Sequence, residues 1–359
     1  MKVFDLFNDK FIFDLSYKYI CSKDNIIKEE YELDKSILVK NPHLIITDLN
    51  DNIIDKIDDV QPLYLYPLSV LDYCNNIKKM KMLSINIWEY SKDIDYLSFI
   101  INNDIKLVEF TISKDVDLEL IENIKKNNVK IIINVTDLDL NAAIMKSMHY
   151  ADYIRLFIPS QIDDFISLEK CLKLINNNKE NKTLFTVKTY LHINMIDKYE
   201  KLINLLNKYN VDILQVSKEL IPLYAENARV DIKDQEKIRY LENKYNKLGK
   251  TRFISVKNLS ELYYPRFMLN DKNSRKCYAS IMKPYMFKDI LLPCKVVGKL
   301  NNKDYWNLGN SKTINYDRIK NKCGTECDDC ASIFENDFLY KVEQIVKDRK
   351  VKYYIVCDK

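Results

Sequence analysis

The sequence predicts an α/β protein in which βαβ units surround a parallel sheet. From about residue 61 onward, short runs rich in β-branched residues alternate with amphipathic stretches whose apolar residues recur every three or four positions. Strands and helices that alternate at this length favour parallel pairing with crossover helices. We favour a complete or partial (β/α) barrel over an open doubly wound sheet, although both architectures have the same periodicity.

Eight strands and three helices are predicted in order along this alternating region. The strands are Leu63–Leu71, Leu83–Trp88, Leu107–Ile112, Lys130–Val135, Tyr153–Ile158, Leu184–Tyr190, Asp212–Val216 and Arg252–Val256. The helices are Asp117–Lys126, Ile162–Leu174 and Ile196–Tyr209. Each helix has an apolar stripe along one side, which indicates packing on the sheet by that side.

The chain divides into three predicted domains. Residues 1–60 are predicted to form a small N-terminal α+β domain, and residues 61–264 the partial barrel. At about residue 265 the alternation stops. Residues 265–359 are predicted to form a loop-rich, cysteine-bearing module that ends in a helix near Glu335–Lys347 and a strand at Lys352–Val356.

Charge and apolar content argue against two classes of partner. The 56 basic and 52 acidic side chains nearly cancel and are interspersed, so the concentrated basic face that binds nucleic acid is not expected. The N-terminus carries charges where a signal peptide needs an apolar run, and no stretch reaches the roughly 20 apolar residues of a membrane span. Nine cysteines in such a chain indicate reduced thiols and metal ligands, so a soluble cytoplasmic protein is expected.

Glycine is rare, and its positions exclude phosphate-binding loops from most of the chain. The four glycines are Gly249, Gly298, Gly309 and Gly324, so residues 1–248 contain none. A glycine-rich phosphate loop or a dinucleotide fingerprint needs glycine where the backbone approaches the phosphate. Neither motif can lie in the first two-thirds of the chain.

Six of the nine cysteines lie in the last quarter of the chain, and five of them form a ligand pattern. Two widely spaced cysteines precede a tight triplet, and the set is Cys277, Cys294, Cys323, Cys327 and Cys330. Thiolates are soft, charged donors, and four of them complete a zinc site or an iron–sulfur cluster. Spacing alone leaves zinc and a [4Fe–4S] cluster both open. Cys171 differs, because it lies on the apolar side of a predicted helix and is expected to be a core residue.

The stretch around these cysteines resembles the C-terminal auxiliary-cluster module, of the SPASM or twitch type, of radical SAM proteins. The resemblance lies in Lys276-Cys277, Asp289-Ile290-Leu291-Leu292-Pro293-Cys294, Leu308-Gly309-Asn310 and the run from Cys323 to Cys330. In that module the first two cysteines flank a β-hairpin, a Gly-Asn turn follows, and a cysteine-rich turn closes the cluster. The resemblance implies one [4Fe–4S] cluster, because the full seven-cysteine pattern is not present. The preferred ligand set is Cys277, Cys294, Cys327 and Cys330.

The upstream region resembles the partial (β/α) barrel of radical SAM proteins but departs from it at both halves of the SAM site. The family holds its catalytic cluster on a C-x3-C-x2-C loop after the first strand. Here Cys74 is followed by Lys78 and Lys81 at the next two ligand positions, and an ammonium cannot ligate iron. The segment that is glycine-rich in the family reads Thr111-Ile112-Ser113-Lys114-Asp115. SAM binding and reductive SAM cleavage are therefore not expected.

Three functions remain open for such a chain. The leading hypothesis is a radical SAM-like iron–sulfur pseudoenzyme that binds a peptide, a protein or a partner enzyme, with a structural or electron-transferring cluster. The second is a divergent radical SAM/SPASM-type enzyme that modifies a peptide or protein. The third is a scaffold whose C-terminal region is stapled by zinc. No catalytic residue is assigned, because the three histidines are scattered along the chain.

Overall fold

The computed structural model of the protein describes residues 2–5, 17–21, 26–30, 42–57, 84–103, 105, 107–112, 117–140, 142–159, 162–181, 183–190, 193–217, 236–241, 243–244, 251–255, 284–293, 307–315 and 352–357. Within these residues the strands form a nine-stranded sheet, a four-stranded sheet and a two-stranded sheet. The nine-stranded sheet is called the large sheet below. It contains the predicted parallel strands from Ser84–Glu89 to Arg252–Ser255, which we call the parallel series.

The strands are numbered in chain order. They are β1 (Lys2–Asp5), β2 (Tyr17–Cys21), β3 (Ile26–Glu30), β4 (Pro42–Thr47), β5 (Ile53–Ile57), β6 (Ser84–Glu89), β7 (Leu107–Ile112), β8 (Lys130–Val135), β9 (Tyr153–Phe157), β10 (Leu184–Tyr190), β11 (Ile213–Ser217), β12 (Arg252–Ser255), β13 (Tyr285–Phe287), β14 (Ile290–Leu292) and β15 (Lys352–Cys357).

The large sheet has the strand order β12-β11-β10-β9-β8-β7-β6-β13-β14. Strands β6 to β12 are parallel and follow one another in space as they do along the chain. β13 pairs in parallel with the free edge of β6, and β14 pairs antiparallel with β13. The order from β6 to β12 contains no reversal of the kind that defines a doubly wound sheet.

Five α-helices are described with complete bounds. They are α1 (Tyr96–Asn102), α2 (Leu118–Lys126), α3 (Ala142–Ser147), α4 (Phe165–Asn178) and α5 (Tyr199–Lys208). Three of them begin at an aspartate whose carboxylate accepts a backbone N–H of the first turn: Asp95 for α1, Asp117 for α2 and Asp164 for α4. Because the first N–H groups of a helix have no partner within it, such a cap determines where the helix starts.

The helices cover one face of the large sheet. On this face, one hydrophobic core contains strand side chains such as Ile85, Val108 and Ile133. The same core contains helical side chains such as Ile121 and Leu172. All five helices contribute buried residues to this core. Since successive side chains of a strand point to opposite faces, the intervening residues lie on the face that the five described helices do not cover.

The four-stranded sheet joins the two ends of the chain. Its order is β1-β15-β4-β5, so that the last strand lies between two strands from the first 50 residues. β15 is antiparallel to both neighbours, with Val356 opposite Val3 in β1 and opposite His43 in β4. The final strand, predicted at Lys352–Val356, is confirmed. The domain division at residues 60 and 264 stays a prediction.

The predicted strands of the alternating region agree closely with the structure where it describes them. Leu107–Ile112, Lys130–Val135 and Leu184–Tyr190 have the predicted bounds, and β6, β9, β11 and β12 differ by one residue at one or both ends. The predicted strand Leu63–Leu71 and the predicted helix near Glu335–Lys347 lie outside the described residues. In the described part of the chain, no helix is long and apolar enough to cross a membrane.

Candidate functional site

The cysteines predicted as metal ligands lie outside the described residues. They are Cys277, Cys294, Cys323, Cys327 and Cys330. The described ranges contain no group of three or more His, Cys, Asp or Glu side chains that could hold a metal ion. Cys171 of α4 is buried in the core, where desolvation and the charge of Asp137 raise the pKa of its thiol to about 12. A thiol that stays protonated is a poor metal ligand, so Cys171 is a packing residue.

A β-hairpin ends close to the predicted ligand Cys294. Its strands β13 and β14 pair antiparallel, and the buried Pro293 follows β14. The hairpin is joined to the large sheet through β6, and the Asn86 N–H donates to the Pro284 carbonyl at 2.9 Å. Backbone hydrogen bonds therefore fix the hairpin to the edge of the parallel series.

Residues 307–315 fold back onto this hairpin. The Leu291 N–H donates to the Gly309 carbonyl at 2.9 Å, and the Leu308 N–H donates to the Leu291 carbonyl at 2.8 Å. Gly309 has a φ of 128°, and a Cβ at this position would lie 2.1 Å from the Thr313 carbonyl oxygen. Only glycine fits such a position without displacing the backbone. Gly309 thus pairs with Ile314, and a tight turn from Asn310 to Thr313 follows it beside β14.

Polar side chains hold this turn in place. The Asn310 Oδ1 accepts the Lys312 N–H at 2.9 Å and the Thr313 N–H at 2.8 Å. Across the gap to the hairpin, the Asp289 Oδ1 accepts the Ser311 N–H at 2.9 Å. The hairpin and the turn are consequently one hydrogen-bonded unit, which we call the hairpin–turn unit (residues 284–293 and 307–315).

The face of the large sheet that the helices leave uncovered carries a buried polar cluster. We call it the polar face, and its members are Asn86 of β6, Glu109 of β7, Asn134 of β8, Tyr153 and Arg155 of β9, and Thr186 of β10. The strand register places Asn86 opposite Glu109, Asn134 opposite Arg155, and Arg155 opposite Thr186. All of them are less than a tenth exposed. Charged side chains are rarely buried to this extent unless they are paired.

An ion pair spans three strands at the centre of the polar face. The Arg155 Nη1 donates to the Glu109 Oε1 at 3.1 Å and to the Asn134 Oδ1 at 3.2 Å. The Asn134 Nδ2 donates to the same Glu109 oxygen at 2.6 Å. Each of the three side chains therefore bonds to the other two, although β8 lies between the strands that carry the two charges.

Tyr153 completes the environment of the guanidinium. The Arg155 Nε donates to the Tyr153 hydroxyl at 3.4 Å, and the Arg155 Cζ lies 5.0 Å from the centre of the Tyr153 ring. Burial by itself lowers the pKa of Arg155, but interactions with Tyr153 and then with Glu109 outweigh it and raise that pKa. Arg155 is therefore a permanent cation that Glu109 neutralises.

Two members of the polar face have polar atoms without a partner. Neither the Nδ2 nor the Oδ1 of Asn86 makes a hydrogen bond, and the Thr186 hydroxyl also makes none. Both residues are about 1% exposed, so water does not solvate them from the protein surface. Because buried polar groups in proteins are nearly always hydrogen-bonded, this pattern is typical of a site that receives a ligand or an ordered water.

The loops after β6 and β7 meet where parallel sheets commonly place functional groups. The Tyr90 hydroxyl donates to the Asp117 Oδ2 at 2.7 Å, and the Tyr90 ring stacks on Tyr96 at 5.3 Å. Burial and this hydrogen bond raise the pKa of Tyr90. Burial would raise the pKa of Asp117 as well, but the Leu120 N–H and the Tyr90 hydroxyl outweigh it and lower that pKa. The pair links the two loops and caps α2.

Sequence reasoning did not single out the polar face. A signal was present, since Glu109 and Arg155 are charged residues inside strands that were predicted to be buried. Such residues stand out only when the two faces of each strand are separated by their alternation. The contact between Glu109 and Arg155 joins positions 46 apart, which periodicity does not pair.

No protein family model matches the chain, and no curated protein does. Solved structures do resemble it. The structure of Streptococcus suis SuiB bound to S-adenosylmethionine has a TM-score of 0.51 and 13% sequence identity, and it covers 71% of this chain and 70% of that chain. The structure of SuiB bound to its precursor peptide SuiA has a TM-score of 0.50 and 13% identity, and it covers 71% and 69%.

At this sequence identity the likeness concerns the fold alone. The mostly parallel large sheet, the helices on one of its faces and the agreement with SuiB support an α/β fold of the radical SAM-like type.

Proposed function

We propose that the chain is an iron–sulfur protein whose C-terminal module holds one [4Fe–4S] cluster. The ligands are four of Cys277, Cys294, Cys323, Cys327 and Cys330. The hairpin–turn unit carries the proposal, because β14 ends two residues before Cys294 and pairs with the turn at Gly309. This is the order of hairpin and Gly-Asn turn that the resemblance to a SPASM or twitch module predicts. The soft thiolate set suits an iron–sulfur cluster, with zinc as the alternative.

We also propose that the large sheet curves into a partial (β/α) barrel with the polar face inside. Four observations support it. The strand order from β6 to β12 follows the chain without reversal, and the five described α-helices all pack on the same face. The opposite face is buried, and Arg155 reaches Glu109 across a strand spacing of about 10 Å. A sheet that curves around this face brings such side chains together.

The barrel is proposed to have lost reductive SAM cleavage. Cys74 is followed by Lys78 and Lys81 at the family's other two ligand positions, and the loop after β6, residues 90–95, contains no cysteine. SuiB has been solved with SAM bound, which favours a second candidate. In that candidate the chain is a divergent radical SAM/SPASM-type enzyme with a rearranged SAM site.

The proposed partner is a peptide or a protein, including a partner enzyme. SuiB has been solved with its precursor peptide, so the fold that this chain resembles accommodates a peptide in that protein. The near balance of 56 basic and 52 acidic residues argues against nucleic acid. The cluster would serve the complex as a structural or an electron-transferring centre.

Metal and sulfide analysis of protein purified without oxygen tests the cluster. We expect about four iron and four sulfide per chain with a broad visible absorption, because a [4Fe–4S] cluster has that composition. Cys294→Ala and Cys327→Ala are expected to lose most of this iron. Cys171→Ala is the matched control and is expected to retain it, since the Cys171 thiol is buried in the core. One zinc per chain without sulfide would contradict the proposal and favour the zinc-stapled scaffold.

Incubation of the iron-loaded protein with SAM and a strong reductant separates the two candidate functions. The proposal expects no 5′-deoxyadenosine above the level without protein, because one cysteine cannot hold the SAM-cleaving cluster. Product that depends on both reductant and protein would establish the divergent enzyme instead. In that case Cys327→Ala should abolish turnover while the large sheet remains folded.

A further inference from the structure

The unpaired amide of Asn86 is the starting point. Both polar atoms of its side chain are buried and unbonded, while its backbone N–H is occupied by the Pro284 carbonyl. A leucine has nearly the same size and would bury no polar group here. An amide kept at this position without a partner is therefore unfavourable for folding, unless another group pairs with it.

The charges that the structure describes on the polar face are already neutralised. Arg155 is paired with Glu109, and Asn134 bonds to both. An added anion or cation would meet a compensated ion pair and would lose its hydration without a free counter-charge. The polar face therefore suits an uncharged ligand.

The geometry points to a binding site on the polar face for an uncharged group that presents one donor and one acceptor on the same planar edge. A primary carboxamide has this edge, and so does the amino–nitrogen edge of adenine. Either would form two parallel hydrogen bonds with the Nδ2 and Oδ1 of Asn86. A trans peptide bond would not, because its N–H and C=O point in opposite directions. The primary carboxamide is the side-chain chemistry of asparagine and glutamine.

The hairpin–turn unit provides one wall of this site. Tyr285 of β13 lies opposite Asn86 in the strand register and is only partly buried. The site is thus at the junction of the parallel series and the module that is proposed to carry the cluster. The inference goes beyond the proposed function, since no thiolate takes part and it holds with or without a metal.

Thermal unfolding with acetamide tests the site. For the full-length wild type, we expect the midpoint to rise with acetamide concentration and to saturate at a shift of about 2 °C. N,N-dimethylacetamide, which has the acceptor but no N–H, is expected to give no saturable shift. Adenosine is the second arm: a response to adenosine alone assigns the edge to a purine, and a response to acetamide alone assigns it to a carboxamide.

Asn86→Leu sharpens the test. Without ligand, this variant is expected to unfold at the same temperature as the wild type or about 2 °C higher, because it removes two unpaired polar atoms. It should lose the response to both ligands. The same response in Asn86→Leu, no response of the wild type to either ligand, or a lower midpoint of the ligand-free variant would each overturn the inference.

A pair of threonine variants keeps the test independent of Asn86. Thr186→Val removes an unpaired hydroxyl and is expected to leave the midpoint unchanged or higher. Thr183→Val is the matched control, since its buried hydroxyl donates to the Ala151 carbonyl at 2.8 Å, and its midpoint should fall. Equal losses in both would mean that the Thr186 hydroxyl is already bonded within the protein, which would contradict the pattern of unpaired buried groups from which the inference starts.

Discussion

Arg155→Met is expected to lower the free energy of unfolding by about 3–5 kcal/mol, because it leaves a buried carboxylate without its counter-charge. Glu109 is 5% exposed, so water cannot replace the guanidinium. Asn134 loses one hydrogen bond in the same substitution. Equilibrium denaturation in urea, followed by circular dichroism, measures the change.

Two further variants define the origin of that loss. Glu109→Gln combined with Arg155→Met is expected to be more stable than Arg155→Met alone, since it removes the uncompensated charge. Arg239→Met is the matched control on an exposed helical position, and it should change the free energy of unfolding by less than about 0.5 kcal/mol. If Arg155→Met changed the free energy of unfolding as little as this control, the ion pair would not be buried as described.

The sequence predicted the parallel strands well because these strands are rich in β-branched residues. Lys130–Val135, for example, contains four β-branched residues, and five of its six residues are buried. β-branched residues fit the pleated, buried surface of a strand, so such a run favours a strand at the centre of a sheet. The three predicted helices were placed correctly, and Asp117–Lys126 differs by one residue at its start, but the bounds of the other two differ at both ends. The helix predicted at Ile162–Leu174 begins at Phe165, because Asp164 caps it, and the one predicted at Ile196–Tyr209 begins with a 3₁₀ turn.

Long-range pairing could not be read from the sequence. Nothing in the three residues of β13 indicates that they pair with β6, and nothing in β15 indicates a position between β1 and β4. Periodicity specifies the faces of an element but not its neighbour. The same limit applies to the polar face, where the partners of Arg155 come from two other strands.

The two parts of the candidate site were therefore predictable to different degrees. Cysteine spacing is a local pattern, so the ligand set could be proposed from the sequence, and it stays a prediction. The hairpin–turn unit was also signalled locally, by Pro293 before Cys294 and by the Gly309-Asn310 pair. The polar face needed three-dimensional coordinates, because its chemistry arises from residues that are far apart along the chain.

Gly309→Ala is expected to destabilise the hairpin–turn unit by at least about 3 kcal/mol. The new methyl group would lie 2.1 Å from the Thr313 carbonyl oxygen, and the φ of 128° is strained for any residue with a Cβ. The hydrogen bonds that join Leu291 to Gly309 and Leu308 should weaken together. Hydrogen exchange followed by mass spectrometry is expected to show faster exchange in residues 284–293 and 307–315.

Strand β10 provides the internal reference, because it lies four strands away from β6 in the large sheet and should exchange at the wild-type rate. Ser311→Ala is the matched control variant, since the contact of Ser311 with Asp289 uses only the backbone N–H. Iron analysis of Gly309→Ala then links the unit to the cluster. If the unit positions Cys294 as a ligand, iron content should fall together with protection from exchange. Faster exchange with full iron retention would separate the turn from the metal site and contradict the proposed module.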